Sequence, residues 1–463
     1  MRPYRRIGGA MALLLVALLA NLSWLQVIGA DAIRGHDGNQ RLLLEQYNRV
    51  RGPIIIGAVP IATSSRAASD GFYQRSYTDG PLYAAITGYY SLLYGATGIE
   101  RSQNGVLSGA DARFIVDRIQ QLFAGRHQAG GAVTLTIDAS AQRAAYAALA
   151  NHSGAAVAVN ARTGAVLALV STPSFDPQAL APNDPSEVRK RYQALSSDPG
   201  QPLVNRAIGR TYAPGSPFSI VTAAAALASG RFTTATSLAA PASLTLGGTT
   251  LHNTDHRQCG PGNVSLSRAV RTSCLTAIAS LGQLLGGDAL HNAAEQFGLD
   301  SSLLNQLPTE ASSMVASTDA GQVALQAAGL SGVRVTALQM AMLAAAVANG
   351  GTLMNPYVVE DVRAHNLEVL DHAEPTVHST PMSKRTAADI AAMMLDIHGN
   401  PTCANCRIGP YVVHSLAGGN PAWFTGYAGD VAVATVIEAP SSASGSTAAR
   451  VAVAVLHAVL AKT

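Results

Sequence analysis

The chain has 463 residues, of which 48% are hydrophobic and only 13% charged, with a formal net charge of +3. That length accommodates more than one domain and a large core. So small a charge, with no extended Lys/Arg run, excludes a nucleic-acid partner read through its phosphates. Lysine occurs only at Lys190, Lys384 and Lys462, so arginine carries almost all the positive charge.

Arg2, Arg5 and Arg6 precede an uncharged stretch from Ile7 to Ala30, "IGGAMALLLVALLANLSWLQVIGA". At about 1.5 Å per residue in a helix it can cross a hydrocarbon core of roughly 30 Å. Basic residues before it and Asp31 after it place the N-terminus in the cytoplasm and the rest outside. A cleaved signal peptide is the alternative; the run is long for such a segment, and Trp24 suits an interface anchor. The apolar run around Met340–Val347 is short and alanine-rich, as in a buried core helix rather than a second span.

Residues 31–50 read as a membrane-proximal helix, with Leu42, Leu43, Leu44 and Tyr47 as its apolar positions. "RGPIIIGAVPIA" (51–62) reads as a strand after a turn. "GGAVTLTIDASAQRAAYAALA" gives a strand, a helix-start signal at Asp138–Ser140 and a helix. "GAAVAVNARTGAVLALVSTPSFDP" gives two strands of a hairpin turning at "NARTG". Helical segments then dominate as far as "YVVHSLAGG", "AWFTGYA" and "VAVATVIEA", which read as neighbouring strands, and Ala449–Ala461 closes the chain as a helix. This order predicts an α/β fold with a helical cluster and an antiparallel sheet covered by helices.

An oxidising compartment suits the cysteines, with Cys259–Cys274 and Cys403–Cys406 as the simple pairing. A metal site at His252, His256 and Cys259 is a weaker alternative, because that spacing in a polar loop is a poor signal. No cofactor is expected.

"VTLTIDASAQ", "GAAVAVNARTGAVLALVSTPSFDP", "NRAIGRTYAPGSPFSIVTAAAAL", "VTALQMAMLAAAVANGGTLMNPYVV" and "AWFTGYA" occur in an order that resembles the class B penicillin-binding proteins, of the actinobacterial penicillin-binding protein A type. The resemblance runs from the anchor to the chain's end. It implies a serine β-lactamase-like transpeptidase domain over 131–463, a juxtamembrane or dimerisation-type domain over 31–130, an anchor at 7–30 and a cytoplasmic tail at 1–6. It also implies a single-pass protein of the cell membrane with its main domain outside.

The family's chemistry rests on three motifs, and each is altered here. In S-x-x-K a serine attacks a peptidyl-D-Ala-D-Ala carbonyl and a lysine one helical turn away takes its proton. This chain has Ser216-Pro217-Phe218-Ser219, so the nucleophile position is kept and the base is a hydroxyl, whose pKa is far too high for that task. S-x-N becomes Ser273-Cys274-Leu275, an amide replaced by an apolar side chain. K-T/S-G-T becomes Leu416-Ala417-Gly418-Gly419, with only the glycine retained. The family's Gly-Gln before the "LQMA" helix stands here as Gly329-Leu330.

No S-x-x-K or K-[ST]-G occurs elsewhere in the chain. His414 and His252 are the candidate substitute bases, although a working base also needs a third group to orient it. Ser216 before Pro217 also suits a helix start, as an N-cap serine followed by proline at the first helical position. Ser273 reads equally as a polar neighbour of a disulfide cysteine, and Leu275 and Leu416 as residues packing together in a former cleft.

The leading expectation is a pseudo-transpeptidase that scaffolds or regulates peptidoglycan synthesis, division or sporulation. Its partners would be the cytoplasmic membrane and, as the resemblance implies, a polytopic peptidoglycan glycosyltransferase or other divisome proteins. The alternatives are an active D,D-transpeptidase-type acyl-transferase using Ser216 with a non-lysine base, and a module that binds wall peptide without turning it over. Loss of the carboxylate-binding cation argues against tight binding of D-Ala-D-Ala ends.

Overall fold

The computed structural model describes residues 50–67, 71–114, 129–246, 248–253, 256, 258–366, 368–394, 407–408, 411–412, 414–418, 421–438 and 444–461, together with parts of 11–24. The described residues of 11–24 are helical, and Leu13, Leu14 and Trp24 are exposed. Among the described residues no helix is long and apolar enough to cross a membrane. The expected anchor at 7–30 lies largely outside them, and so do the helix expected at 31–50, apart from Val50, and Cys403 and Cys406.

The segment read as one strand at 51–62 is a hairpin. β1 (Ile54–Ile56) turns at Gly57, which has φ 59°, into β2 (Val59–Arg66), and β3 (Tyr73–Tyr77) follows. The glycine supplies the left-handed backbone that reverses the chain inside an otherwise apolar run. Helices α1 (Gly80–Thr87) and α2 (Gly98–Ser102) lie before β4 (Ala132–Leu135). Asp138 then caps α3 (Ala139–Leu149), its Oδ1 accepting from the amides of Ser140 and Ala141 at 2.8 and 2.9 Å. The hairpin at "NARTG" joins β5 (Gly154–Asn160) to β6 (Val166–Thr172), and α4 (Pro185–Ser197) follows.

A short 3₁₀ turn, Ser216–Phe218, opens α5 (Ser219–Ala228). The region beyond is not purely helical. A hairpin of β7 (Ser243–Leu246) and β8 (Thr249–His252) precedes α6 (Leu275–Leu285), α7 (Ala320–Ala327) and α8 (Ala337–Ala348). Their half-exposed, Thr-rich alternation suits a two-stranded edge ribbon better than a helix. A second hairpin, β9 (Val359–Arg363) and β10 (Val369–His372), comes before β11 (His414–Gly418), β12 (Ala422–Ala428), β13 (Val431–Ile437) and α9 (Ser444–Leu460).

Two sheets organise these elements. One is antiparallel, with order β11-β12-β13-β5-β6. Period-2 alternation sorts its side chains. Ala156, Ala158, Phe424 and Val433 face α3 and α9, while Val157, Val159, Trp423 and Ala434 face the main core with α8. β12 and β13 are buried along their whole length because both faces are covered. α8 is buried apart from its last residue and apolar except for Gln339, whose Nε2 donates to Phe297 O at 2.7 Å, the core helix that its composition predicts.

The other sheet has order β10-β9-β4-β1-β2-β3. It joins strands on both sides of the expected 130/131 division, since β4 pairs with β1 and carries the β9–β10 hairpin on its other edge. Glu100 of α2 pins this sheet from within. Its fully buried carboxylate accepts from Arg51 Nε at 2.5 Å, Arg75 Nε at 2.6 Å and Tyr77 OH at 3.3 Å. Burial alone would raise its pKa, but Arg75 and then Arg51 hold it below the ordinary value of 4.5. That contribution to stability is complete above pH 4.5 and is lost as the pH falls from there through the lowered folded-state value. Glu100→Gln leaves two buried guanidinium groups uncompensated and is expected to cost about 3 kcal/mol, with the acid-side decline flattened. Urea midpoints measured across that pH range for both proteins check this.

Candidate active site

The segment leading to Ser216 is clamped to the end of the antiparallel sheet. Glu438, just past β13, accepts from Arg206 Nε at 2.9 Å and from Tyr212 OH at 2.8 Å, and Arg210 lies 3.1 Å away. Arg206 is buried, its backbone amide donates to Ser171 Oγ at 2.9 Å, and its guanidinium also reaches the carbonyls of Gly200 and Gln201. Burial, then the hydrogen bond to Glu438, push the Tyr212 phenol well above its ordinary pKa. Trp423 Nε1 donates to Ala213 O at 2.9 Å, and its ring meets Tyr212 edge-on with centroids 6.0 Å apart. Arg206, Tyr212 and Glu438 were not singled out from sequence. The available signal was a lone carboxylate ending an apolar strand, which needs a buried cation.

Gly215 (φ 62°) then turns the chain, its amide donating to Gly329 O at 2.8 Å. Gly329 also has positive φ, and a Cβ there would lie 2.3 Å from Gly215 O, so the two backbones meet too closely for any side chain. This geometry corrects the reading of Ser216 as an N-cap. Gly215 occupies the cap position, Ser216 is already inside the 3₁₀ turn, and no side chain caps it. Ser216 is only 5% exposed, and Ser219 only 3%.

The segments read from sequence as the first two motifs converge. Ser216, Ser219, Ser273 and Leu275, with Ile278 and Ala328, line a narrow cavity with no room for a water molecule. None of these six residues titrates. Ser273 adopts φ 51°, and Cys274 beside it is bonded to Cys259 in a disulfide with Cα atoms 5.8 Å apart. That bond removes Cys259 from the alternative metal set. Asn253 fastens the loop after β8 to the start of α6: its Oδ1 accepts from Thr276 N at 3.0 Å and its Nδ2 donates to Pro241 O at 3.0 Å.

Leu275 and Leu330 pack into one apolar cluster with Leu244, Leu246 and Leu251 of the β7–β8 hairpin and Ala328. Two positions at which the resemblance implies amides are thus partners in a small apolar patch. β11 runs beside the Ser216 turn, with Leu416 opposite Thr425, Ala417 opposite Phe424 and Gly418 opposite Trp423. Only the backbone of 414–418 is described, so the expected Leu275–Leu416 contact and the His414 ring lie outside the described side chains. His252 is exposed, its ring 4.5 Å from that of exposed His256, and neither lines the cavity. Lys190 and Lys384 are exposed on helices away from it, and Lys462 is outside the described residues.

This arrangement, an antiparallel sheet covered on both faces and a serine turn beside its edge strand, matches a known class. Residues 154–457 match the penicillin binding protein transpeptidase domain, and 51–133 match the penicillin binding protein A dimerisation domain. The chain belongs to the penicillin-binding transpeptidase family. Within it, the chain is 38% identical over 401 residues to the peptidoglycan D,D-transpeptidase PbpA of Mycolicibacterium smegmatis, covering 84% of this chain and 81% of that one. The structure of penicillin-binding protein A from Mycobacterium tuberculosis in its imipenem acyl-enzyme complex superposes with a TM-score of 0.84 at 34% identity, over 90% of this chain and all of that one. A D,D-transpeptidase domain from Eggerthella lenta gives a TM-score of 0.76 at 30% identity, over 90% of this chain and 99% of that one.

Two outcomes are expected from this geometry. Glu438→Gln strips buried Arg206 of its carboxylate and should lower unfolding free energy by about 3 kcal/mol in denaturant titration. Ser219→Lys puts a cation where no water fits and should cost on the order of 3–5 kcal/mol, read as a lowered melting transition.

Proposed function

We propose that this chain is a catalytically inactive penicillin-binding transpeptidase homologue that works through protein contacts in peptidoglycan synthesis or cell division. The observation that carries this reading is the narrow cavity at Ser216, which is too tight for a water molecule and has no titratable group among its described lining residues. A serine hydroxyl attacks a carbonyl only if a base takes its proton as the bond forms, and Ser219 cannot be that base at neutral pH. The roles read from the motifs point the same way: Ser216 as the former nucleophile, Ser219, Leu275 and Leu416 in place of the lysine, amide and second lysine, and Ser273, Ala417 and Gly418 as remnants.

Loss of catalysis leaves the rest of the family architecture available for a scaffolding role. The match to a dimerisation domain at 51–133 and the apolar segment 7–30 favour a membrane-anchored protein with its main domain outside the cell. Its partner would be a polytopic peptidoglycan glycosyltransferase or another divisome protein.

The relative from Mycobacterium tuberculosis forms an acyl-enzyme with imipenem, so acylation is the discriminating measurement. Intact-mass analysis of the purified protein after prolonged incubation with a β-lactam at high concentration is expected to find no adduct, with that relative as positive control. An adduct that disappears in Ser216→Ala would overturn the proposal and identify an active acyl-transferase with an unrecognised base.

A further inference from the structure

A second cavity lies away from Ser216, where the two matched regions meet. It is a cavity of about 380 Å³, and Tyr89 and Arg101 on one side face Phe175, Tyr192 and Asn205 on the other. That volume is in the range, roughly 300–1,000 Å³, that holds small ligands, and domain junctions are a common place for such sites.

The walls are aromatic and ordered by packing. Tyr89 and Phe175 stand edge-to-face with centroids 6.1 Å apart, and Tyr192 is stacked on Tyr94 at 3.8 Å. The polar side chains at the rim are committed to the scaffold. Ser174 Oγ donates to Pro81 O and Asn205 Nδ2 to Ala85 O, both at 2.7 Å. Arg101 is different: its side chain is exposed, and it has no ion-pair partner among the described residues. Among the described residues no carboxylate lines the cavity. Tyr89 adds no competing negative charge, because burial and then Tyr192 push its phenol up to about 12.

We propose that this interdomain cleft binds a small carboxylate carried on a ring, with the ring against Tyr89, Phe175 and Tyr192 and the carboxylate on Arg101. A planar guanidinium with free donors favours a bidentate carboxylate, and aromatic faces accept either the C–H face of a sugar or another aromatic ring. The chemistry is therefore shared by two sources, a sugar acid and an aromatic acid. The cleft floor includes Asn205 and Ile208, on the same segment that Arg206 and Tyr212 fasten ahead of Ser216. The proposal does not depend on whether Ser216 is active.

Calorimetry and saturation-transfer NMR on the full chain test this with N-acetylmuramic acid, phenylacetate and, as the uncharged control, N-acetylglucosamine. Binding of either acid, at least tenfold stronger than the neutral sugar and weakened at least tenfold in Arg101→Gln, supports the site; which acid binds identifies the source. Arg101 is exposed, so that variant should melt like the parent. Ala85→Leu, which narrows the cleft, should weaken the same acid by a similar factor. No binding of either acid at millimolar concentration, equal binding of the neutral sugar, or affinity unchanged in Arg101→Gln would each overturn the proposal.

Discussion

Strand β13 pairs with β12 on one edge and β5 on the other and is buried on both faces, and much of the molecule follows from that demand. Its outer face requires α3 and α9, whose alanines let the helices approach closely. Its inner face requires α8 and the core behind it. Just past the strand's end stands Glu438, where a charge is tolerable because it is paired. The cations that pair it, with Tyr212, belong to the segment that delivers Ser216. The serine turn is therefore placed by the end of a strand that contributes nothing to the cavity itself. The Gly215–Gly329 approach then fixes its angle.

Sequence alone made the antiparallel sheet legible, because its strands are long apolar runs bounded by turn residues, and the "NARTG" hairpin and the Asp138 cap are local signals. The β1–β2 reversal was hidden because one glycine interrupts a run that stays apolar on both sides. The β9–β10 hairpin was hidden for another reason. Its strands read weakly by themselves, and their place beside β4 is a long-range pairing that no local pattern encodes. At the site, the converging segments could be listed from sequence, but the role given to Ser216 as an N-cap could not survive Gly215. The packing of Leu275 with Leu330 needed three dimensions, since one begins α6 and the other follows α7.

The residues around Ser216 agree with one another physically. A buried lysine needs an acceptor, and a buried amide needs several partners. Lining the cavity with serines, leucine, isoleucine and alanine removes those demands together. A lone lysine or amide among them would lack partners, whereas the set observed leaves a tight space with no charged group among the described lining residues. The hairpin leucines that cover Leu275 and Leu330 complete the same solution from outside.

The pairing of β5 with β13 also dictates an order of events as the chain is made. Ala158 meets Val433 across that ladder, so an early strand has to wait for nearly the whole domain before its edge is filled. In the interval β5 and β6 form an apolar hairpin with an open edge, a template for pairing with a neighbouring chain. Such long-range closure is slow and leaves nascent molecules prone to aggregate. A chain built this way gains from holdase assistance, or from emerging where few copies of itself are near, until its last strands arrive.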